Sequence, residues 1–281
     1  MHIVDTHLHL VDLERFAYPW LESAPSLRQN WSNESYWAEA KPLGITKAIH
    51  MEVDVAEDQM VAEAKHVLGL DGIVGTIANG RPENADFIGH LERLQALGKG
   101  KVKGIRRLLQ HQPIELSADP SFIAHVRRLP DYGMTFDICL KSHELPAAPP
   151  LIAACPETQF ILDHCGNPAI AAGEWESWTV RIEEIAALPN VMCKISGILA
   201  NVDDSWTVDQ LRPYVEFCIE KFGWDRVIWG SDHFVVTLFA DLTRWVNATR
   251  EIISGASEDE QARLLHGNAE RLFGLSSQTA G

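Results

Sequence analysis

Residues 2–10 read HIVDTHLHL. The run is apolar and β-branched, too short for a helix, and ends on His7-Leu8-His9. It predicts a strand that carries polar groups at its C-terminal end. Seven more runs of this kind follow. They are ITKAIHMEV from Ile45, GIVGTIA from Gly72, VKGIRRLL from Val102, TFDICL from Thr135, TQFILDHCG from Thr158, VMCKISG from Val191 and RVIWGSDH from Arg226. Their starts fall roughly 30 residues apart, the length of one strand–helix unit.

Amphipathic stretches fill the gaps. Asp54 and Glu57 have the spacing of a capping box, followed by Met60, Val61, Ala64, Val67 and Leu68 on one stripe. Phe87, Leu91 and Leu94 form the next stripe, with Gly98 to end it. Pro120 suits a first helical position after Asp119, with Phe122, Val126 and Leu129 facing inward. Trp178, Ile182 and Ile185 continue the pattern, then Leu211, Val215, Cys218 and Phe222, then Leu242, Trp245 and Val246. Ser257 and Glu260 form a second capping box ahead of Leu264 and Leu265. Eight strands alternating with helices predict an α/β fold, a single (β/α)8 TIM barrel over residues 1–281. It has a long first βα loop, residues 10–33, and C-terminal helices. An open doubly wound sheet is the competing reading, but the turn after the first strand reads HLHLVD, with no glycine to cradle a phosphate.

The chain has 281 residues, and 24 Lys and Arg against 39 Asp and Glu leave a net charge of −15. That balance argues against a nucleic-acid binder. No apolar stretch approaches the length of a membrane span. MHIVDTHLHL lacks the basic and apolar regions of a signal peptide, so a cytoplasmic protein is expected. Five cysteines without a CxxC pair read as reduced, mostly buried thiols.

Strand periodicity gives His7 and His9 one shared face. Strand six ends Asp163-His164, and strand eight ends Ser231-Asp232-His233. In a parallel barrel these ends converge on one rim, so His7, His9, His164 and Asp232 are predicted to meet there. Imidazoles and a carboxylate suit one divalent ion. Asp163 and His233 are neighbours that compete for the same roles until the register is known.

The blocks VDTHLHL with ERFAYPWL, GIRRLLQ, ILDHCGNPAI, NVMCKISG, RVIWGSDH and GNAERLFGL run nearly end to end. In that order they resemble the amidohydrolase superfamily. The similarity is to its branch of TIM-barrel metal-dependent hydrolases with sugar-acid lactonases of the L-fuconolactonase, L-rhamnonolactonase and 2-pyrone-4,6-dicarboxylate lactonase kinds. The resemblance implies His7, His9 and His164 as metal-site and catalytic histidines. It implies Asp232 as a fourth ligand and the general base on the attacking water. It implies hydrolysis of a lactone, with a lactone or hydroxy acid as the small-molecule partner and carbohydrate catabolism as the setting. Relatives usually read SDWP where this chain has Ser231-Asp232-His233-Phe234, which bears on the loop after strand eight. A non-oxidative decarboxylase of the aminocarboxymuconate-semialdehyde type, built on the same scaffold, is the alternative.

Binuclear relatives need a bridging lysine or carboxylate on strand four. This strand offers Lys103, Arg106 and Arg107, and guanidinium charges repel a second cation. One metal is therefore expected, or none, with the histidines polarising the carbonyl instead; zinc is the default ion for such a set, and the sequence does not select it over manganese. Arg106, Arg107 and Lys194 are expected to orient substrate hydroxyls or a carboxylate, with ion pairing as the competing role. Trp20 either stacks on the substrate or anchors its loop. Glu52 reaches the site or forms an ion pair. His50, His111 and His143 read as packed or surface residues, and most tryptophans as core. A homo-oligomer is left open.

Overall fold

The structure, a computed structural model, describes residues 1–275. Eight strands form one parallel sheet in sequence order: β1 (Ile3–Leu8), β2 (Ile45–Met51), β3 (Ile73–Asn79), β4 (Val102–Leu108), β5 (Thr135–Cys139), β6 (Phe160–Leu162), β7 (Val191–Ile195) and β8 (Val227–Trp229). Each of the eight runs read from the sequence holds one strand. A helix follows every strand: α1 (Asn33–Ala40), α2 (Met60–Val67), α3 (Phe87–Gln95), α4 (Pro120–Val126), α5 (Ala148–Ala154), α6 (Glu176–Ala186), α7 (Val208–Phe222) and α8 (Leu242–Ile252). Two more, α9 (Glu258–Ala262) and α10 (Asn268–Phe273), are joined by a π-turn, Arg263–Gly267. This is the (β/α)8 barrel.

The ring closes between β1 and the segment just past β8. Leu8 and His233 form a parallel bridge, His9 N–H donates to His233 O at 2.7 Å and Asp232 N–H to His7 O at 2.9 Å. The last join of the barrel is thus made by the residues that carry its polar groups.

Two apolar layers hold the ring. The outer one lies between strands and helices, where the predicted stripes are buried, among them Phe122 and Val126 of α4 and Trp178, Ile182 and Ile185 of α6. The inner one fills the lower barrel with Val4, Ile49, Met51, Ile77, Ile161, Met192 and Ile228, sealed by Ala269 and Phe273 of α10. Asp119 caps α4 with Pro120 at its start, and Ser257 and Glu260 cap α9 as a reciprocal box. The box expected at Asp54 and Glu57 does not form. Asp54 sits at φ 48°, its N–H donates to Glu52 Oε2 at 2.7 Å, and its carboxylate accepts from Arg81 at 2.8 Å. An ion pair across the loops outcompetes the helix end. The five cysteines are buried and free. Among the described residues no helix is long and apolar enough to cross a membrane.

Candidate active site

β1 begins with Ile3 in the outer layer and Val4 in the inner one. Strict alternation would send His7 outward with Ile3. The β1–β2 register slips between Asp5 and Leu8, after which Leu8 lies in the outer layer. His7 then turns inward with His9. Asp5 pins the slip. Its buried carboxylate accepts from His7 N–H at 3.0 Å, Ser231 N–H at 2.9 Å and the Tyr36 hydroxyl of α1 at 2.7 Å. One side chain thereby fixes the histidine strand against the aspartate loop.

The donors converge as follows. His7 Nε2 lies 3.2 Å from His9 Nε2, His9 Nε2 lies 3.4 Å from Asp232 Oδ1, and His7 Nε2 lies 3.6 Å from the same oxygen. A tetrahedral ion bound at about 2.0–2.1 Å requires donors about 3.3 Å apart, so the triangle fits a zinc-sized ion. His164 joins them, with its ring centroid 4.5 Å from that of His7, and His7, His164 and Asp232 each offer a donor atom within 4.8 Å of the others.

Supporting contacts set the tautomers. His9 Nδ1 faces Met51 O at 3.0 Å. A carbonyl only accepts, so the proton is on Nδ1 and the lone pair on Nε2, toward the triangle. His164 Nδ1 meets Ser196 Oγ at 2.9 Å, and Asp163 Oδ1 stands 3.6 Å from His7 Nδ1. His164 at φ 57° and Asp232 at φ 55° both adopt the left-handed region, a cost their surroundings impose. Gly197 makes room beside them: a Cβ there would lie 2.1 Å from His164 Nδ1.

Charges are stacked beneath. Arg106 Nε donates to Glu52 Oε1 at 2.5 Å, and its Nη1 lies 3.4 Å from His7 Nε2. Lys194 Nζ donates to Asp137 Oδ2 at 2.6 Å and Asp163 Oδ1 at 2.8 Å. Burial raises the Asp137 carboxyl, yet Glu52, Asp163 and Asp232 still outnumber the cations Arg106 and Lys194, an imbalance a divalent ion would offset. Burial pushes the Asp232 carboxyl up to about 6, with His164 and Arg106 pulling it back. Burial also raises Asp163, but Lys194 and His7 outweigh it and hold that group well below the usual carboxylate range. Burial lowers His9 to about 4, so it is a neutral imidazole at pH 7.

Above these groups opens a cleft of about 390 Å³. His9, His164, Arg106 and Asp232 reach it, as do Trp20, Val53 and Val235. Trp20 lines the cleft and is anchored too, its Nε1 donating to Val53 O at 2.8 Å. Phe234 stacks on Trp20 and Trp31, with centroids at 6.4 and 5.0 Å. The long first loop is thereby tied to the loop after β8. Arg107 lines the cleft while paired with Glu83 at 2.7 Å.

Lys194 does not reach the cleft. It is fully buried between two carboxylates, so the substrate contact expected of it gives way to support beneath His7. Glu52 resolves as the ion-pair partner of Arg106. His233 is turned toward Trp31 and Tyr36, with ring centroids at 5.6 and 5.2 Å. His50 is buried and His143 exposed, whereas His111 lines the cleft.

Residues 4–275 match the amidohydrolase family. The chain belongs to that family. An uncharacterised protein from Sinorhizobium fredii is 30% identical over 297 residues, taking in 96% of this chain and 98% of its own. An L-fucono-1,5-lactonase of Burkholderia multivorans is 26% identical over 299 residues, covering 97% of this chain and 96% of its own. In three dimensions, an amidohydrolase from Burkholderia multivorans crystallised with zinc superposes with a TM-score of 0.88 at 21% identity, over 98% of this chain and all of that one (100%). At that identity the likeness establishes the shared barrel.

Proposed function

We propose that this amidohydrolase opens the ring of a sugar-acid lactone by water attack on the ring carbonyl. The observation that carries the reading is the triangle of His7, His9 and Asp232 at the floor of the cleft, with His164 beside it. The 26% identical L-fucono-1,5-lactonase supports the substrate class.

Asp232 Oδ1 faces the two imidazoles, and Oδ2 is assigned to the water proton. A carboxyl at about 6 is mostly ionised at pH 7 and more basic than an ordinary aspartate, as a general base needs. The water oxygen bonds to the carbonyl carbon as its proton passes to Asp232. Arg106 Nη1 stabilises the oxyanion, and with no ion bound His164 Nε2 is the second donor. Collapse breaks the ring C–O bond, and the proton returns from Asp232 to the departing alkoxide, leaving a hydroxy acid. A divalent ion held by His7, His9 and Asp232, with His164 completing the set, supplies Lewis-acid polarisation when bound. Zinc suits the donors. Trp20 and Arg107 bind the substrate as cleft walls.

A panel of aldonolactones in weak buffer with a pH indicator tests this. Acid release from at least one lactone is expected. Its absence from all of them, with carbon dioxide released from an aromatic or muconate acid, would replace the lactonase by the decarboxylase reading.

A further inference from the structure

The two ends of the described chain meet at the N-terminal side of the barrel. His2, just before β1, stacks on His266, with ring centroids 3.7 Å apart and 27° between the planes. His266 lies in the π-turn, and Glu270 follows in α10. Four residues apart on a helix, the two side chains are neighbours. The carboxylate is shared: Oε1 lies 3.3 Å from His2 Nε2 and Oε2 lies 3.3 Å from His266 Nδ1. One donor atom from each of the three residues falls within 4.8 Å of the others.

Each imidazole nitrogen thus stands about one tetrahedral edge, roughly 3.3 Å for bonds near 2.0–2.1 Å, from an oxygen of the one carboxylate. Access is open, because the side chains of His2, His266 and Glu270 are 40%, 19% and 17% exposed. In this respect the cluster differs from the three thiols of Cys165, Cys193 and Cys218, which are buried throughout. A carboxylate only accepts, so each facing nitrogen carries a proton and binds an ion by shifting that proton to its other ring nitrogen. Burial and His2 hold the His266 imidazole below its ordinary range. Burial raises Glu270, but its hydrogen bonds from Lys47, His2 and His266 outweigh that and keep it ionised. The π-turn matters too. It adds one residue to the turn, and each helical residue swings the side chain by about 100°.

We infer that His2, His266 and Glu270 form a site for a borderline divalent ion, such as zinc, nickel or copper(II), that staples the start of β1 to the C-terminal helix. Two imidazoles and a carboxylate suit these ions rather than calcium or magnesium. The Lys47 ammonium, 3.0 Å from Glu270 Oε1, is the competitor the ion displaces. The site is separate from the catalytic cleft, which opens at the other end of the strands.

Untagged, chelator-stripped protein titrated with nickel chloride or zinc chloride tests the proposal by calorimetry. The parent is expected to bind one more ion per chain than His266→Ala or Glu270→Gln, with lactone hydrolysis unchanged in both variants. At free ion a hundredfold above Kd, the folded state gains roughly 100-fold over the unfolded, a rise of several degrees in Tm that both variants lose. Lys47→Met keeps the ligands, removes the competitor and is expected to bind nickel several-fold more tightly. Equal ion numbers in the parent and both ligand variants, or no tightening in Lys47→Met, would overturn it.

Discussion

At the bottom of the barrel Ile49, Met51, Ile161, Met192 and Ile228 meet Phe273 of α10 in an apolar plug. One layer higher the barrel carries Glu52, Arg106, Asp137, Asp163 and Lys194, all buried. Below, burial of hydrocarbon stabilises the ring directly, at about 25 cal/mol per Å². Above, every buried charge costs free energy that only a partner offsets. Left-handed His164 and Asp232, and the buried oxygens Asp137 Oδ1 and Asp163 Oδ2 that have no hydrogen-bond partner, all lie in the upper layer. The lower half supplies the stability that lets the upper half hold strained, charged groups in place.

Asp232→Asn should strike the upper layer alone and produce the largest effect. Lactone turnover is expected to fall by about 10²–10⁴-fold, the usual contribution of a general base. Urea unfolding should show stability held or raised, because a buried carboxylate has been neutralised. Equal activity in the variant would remove Asp232 from the reaction.

Phe273→Ala should do the reverse. Emptying the plug is expected to cost about 3–5 kcal/mol in urea unfolding. kcat/KM measured where the variant stays folded should match the parent. A large loss of kcat/KM would show that the two layers are not independent.

Gly197→Ala probes the boundary between room and chemistry. The new Cβ would meet His164 Nδ1 at 2.1 Å on a backbone at φ 57°, so the imidazole must move. A displacement of about 1 Å is expected to cost up to roughly 10²-fold in kcat. Circular dichroism should show an intact barrel. Unchanged kcat would mean that His164 need not stand where it does.

The two layers also differ in how much of them the sequence shows. The plug and the helix stripes follow from periodicity, so strands and barrel were legible from the eight runs. The rim gathering of His7, His9, His164 and Asp232 was legible because parallel strands share an end. The slip in β1 was not, because it depends on Asp5 bonding across to Ser231 and Tyr36, far away in sequence. The Lys194–Asp137–Asp163 stack does leave a signal in the sequence. A charged residue inside TFDICL and another inside VMCKIS stand in strands covered on both faces, and buried charges must pair. Position near a strand end gives Lys194 the same two readings as Arg106, a substrate contact or an ion pair. The two carboxylates around Lys194 decide between them.

The smallest expected effect concerns pH. His50 in β2 lies below the cleft, with Nδ1 3.0 Å from Thr76 Oγ1 and Nε2 unpaired. Burial, then His9 and Arg106, holds its imidazole well below the ordinary value of 6.5. Below pH 6.5 the unfolded chain therefore takes up a proton that the folded chain refuses. The sign follows: stability is complete above about 6.5 and declines as the pH falls, by up to about 1.4 kcal/mol per unit for this one group. His50→Gln retains a partner for Thr76 and cannot titrate. Its stability curve between pH 6.5 and 5, measured by urea unfolding, should be shallower than the parent's by that amount. Parallel curves would mean that His50 takes its proton while folded, and that the charged layer tolerates one more cation than its geometry suggests.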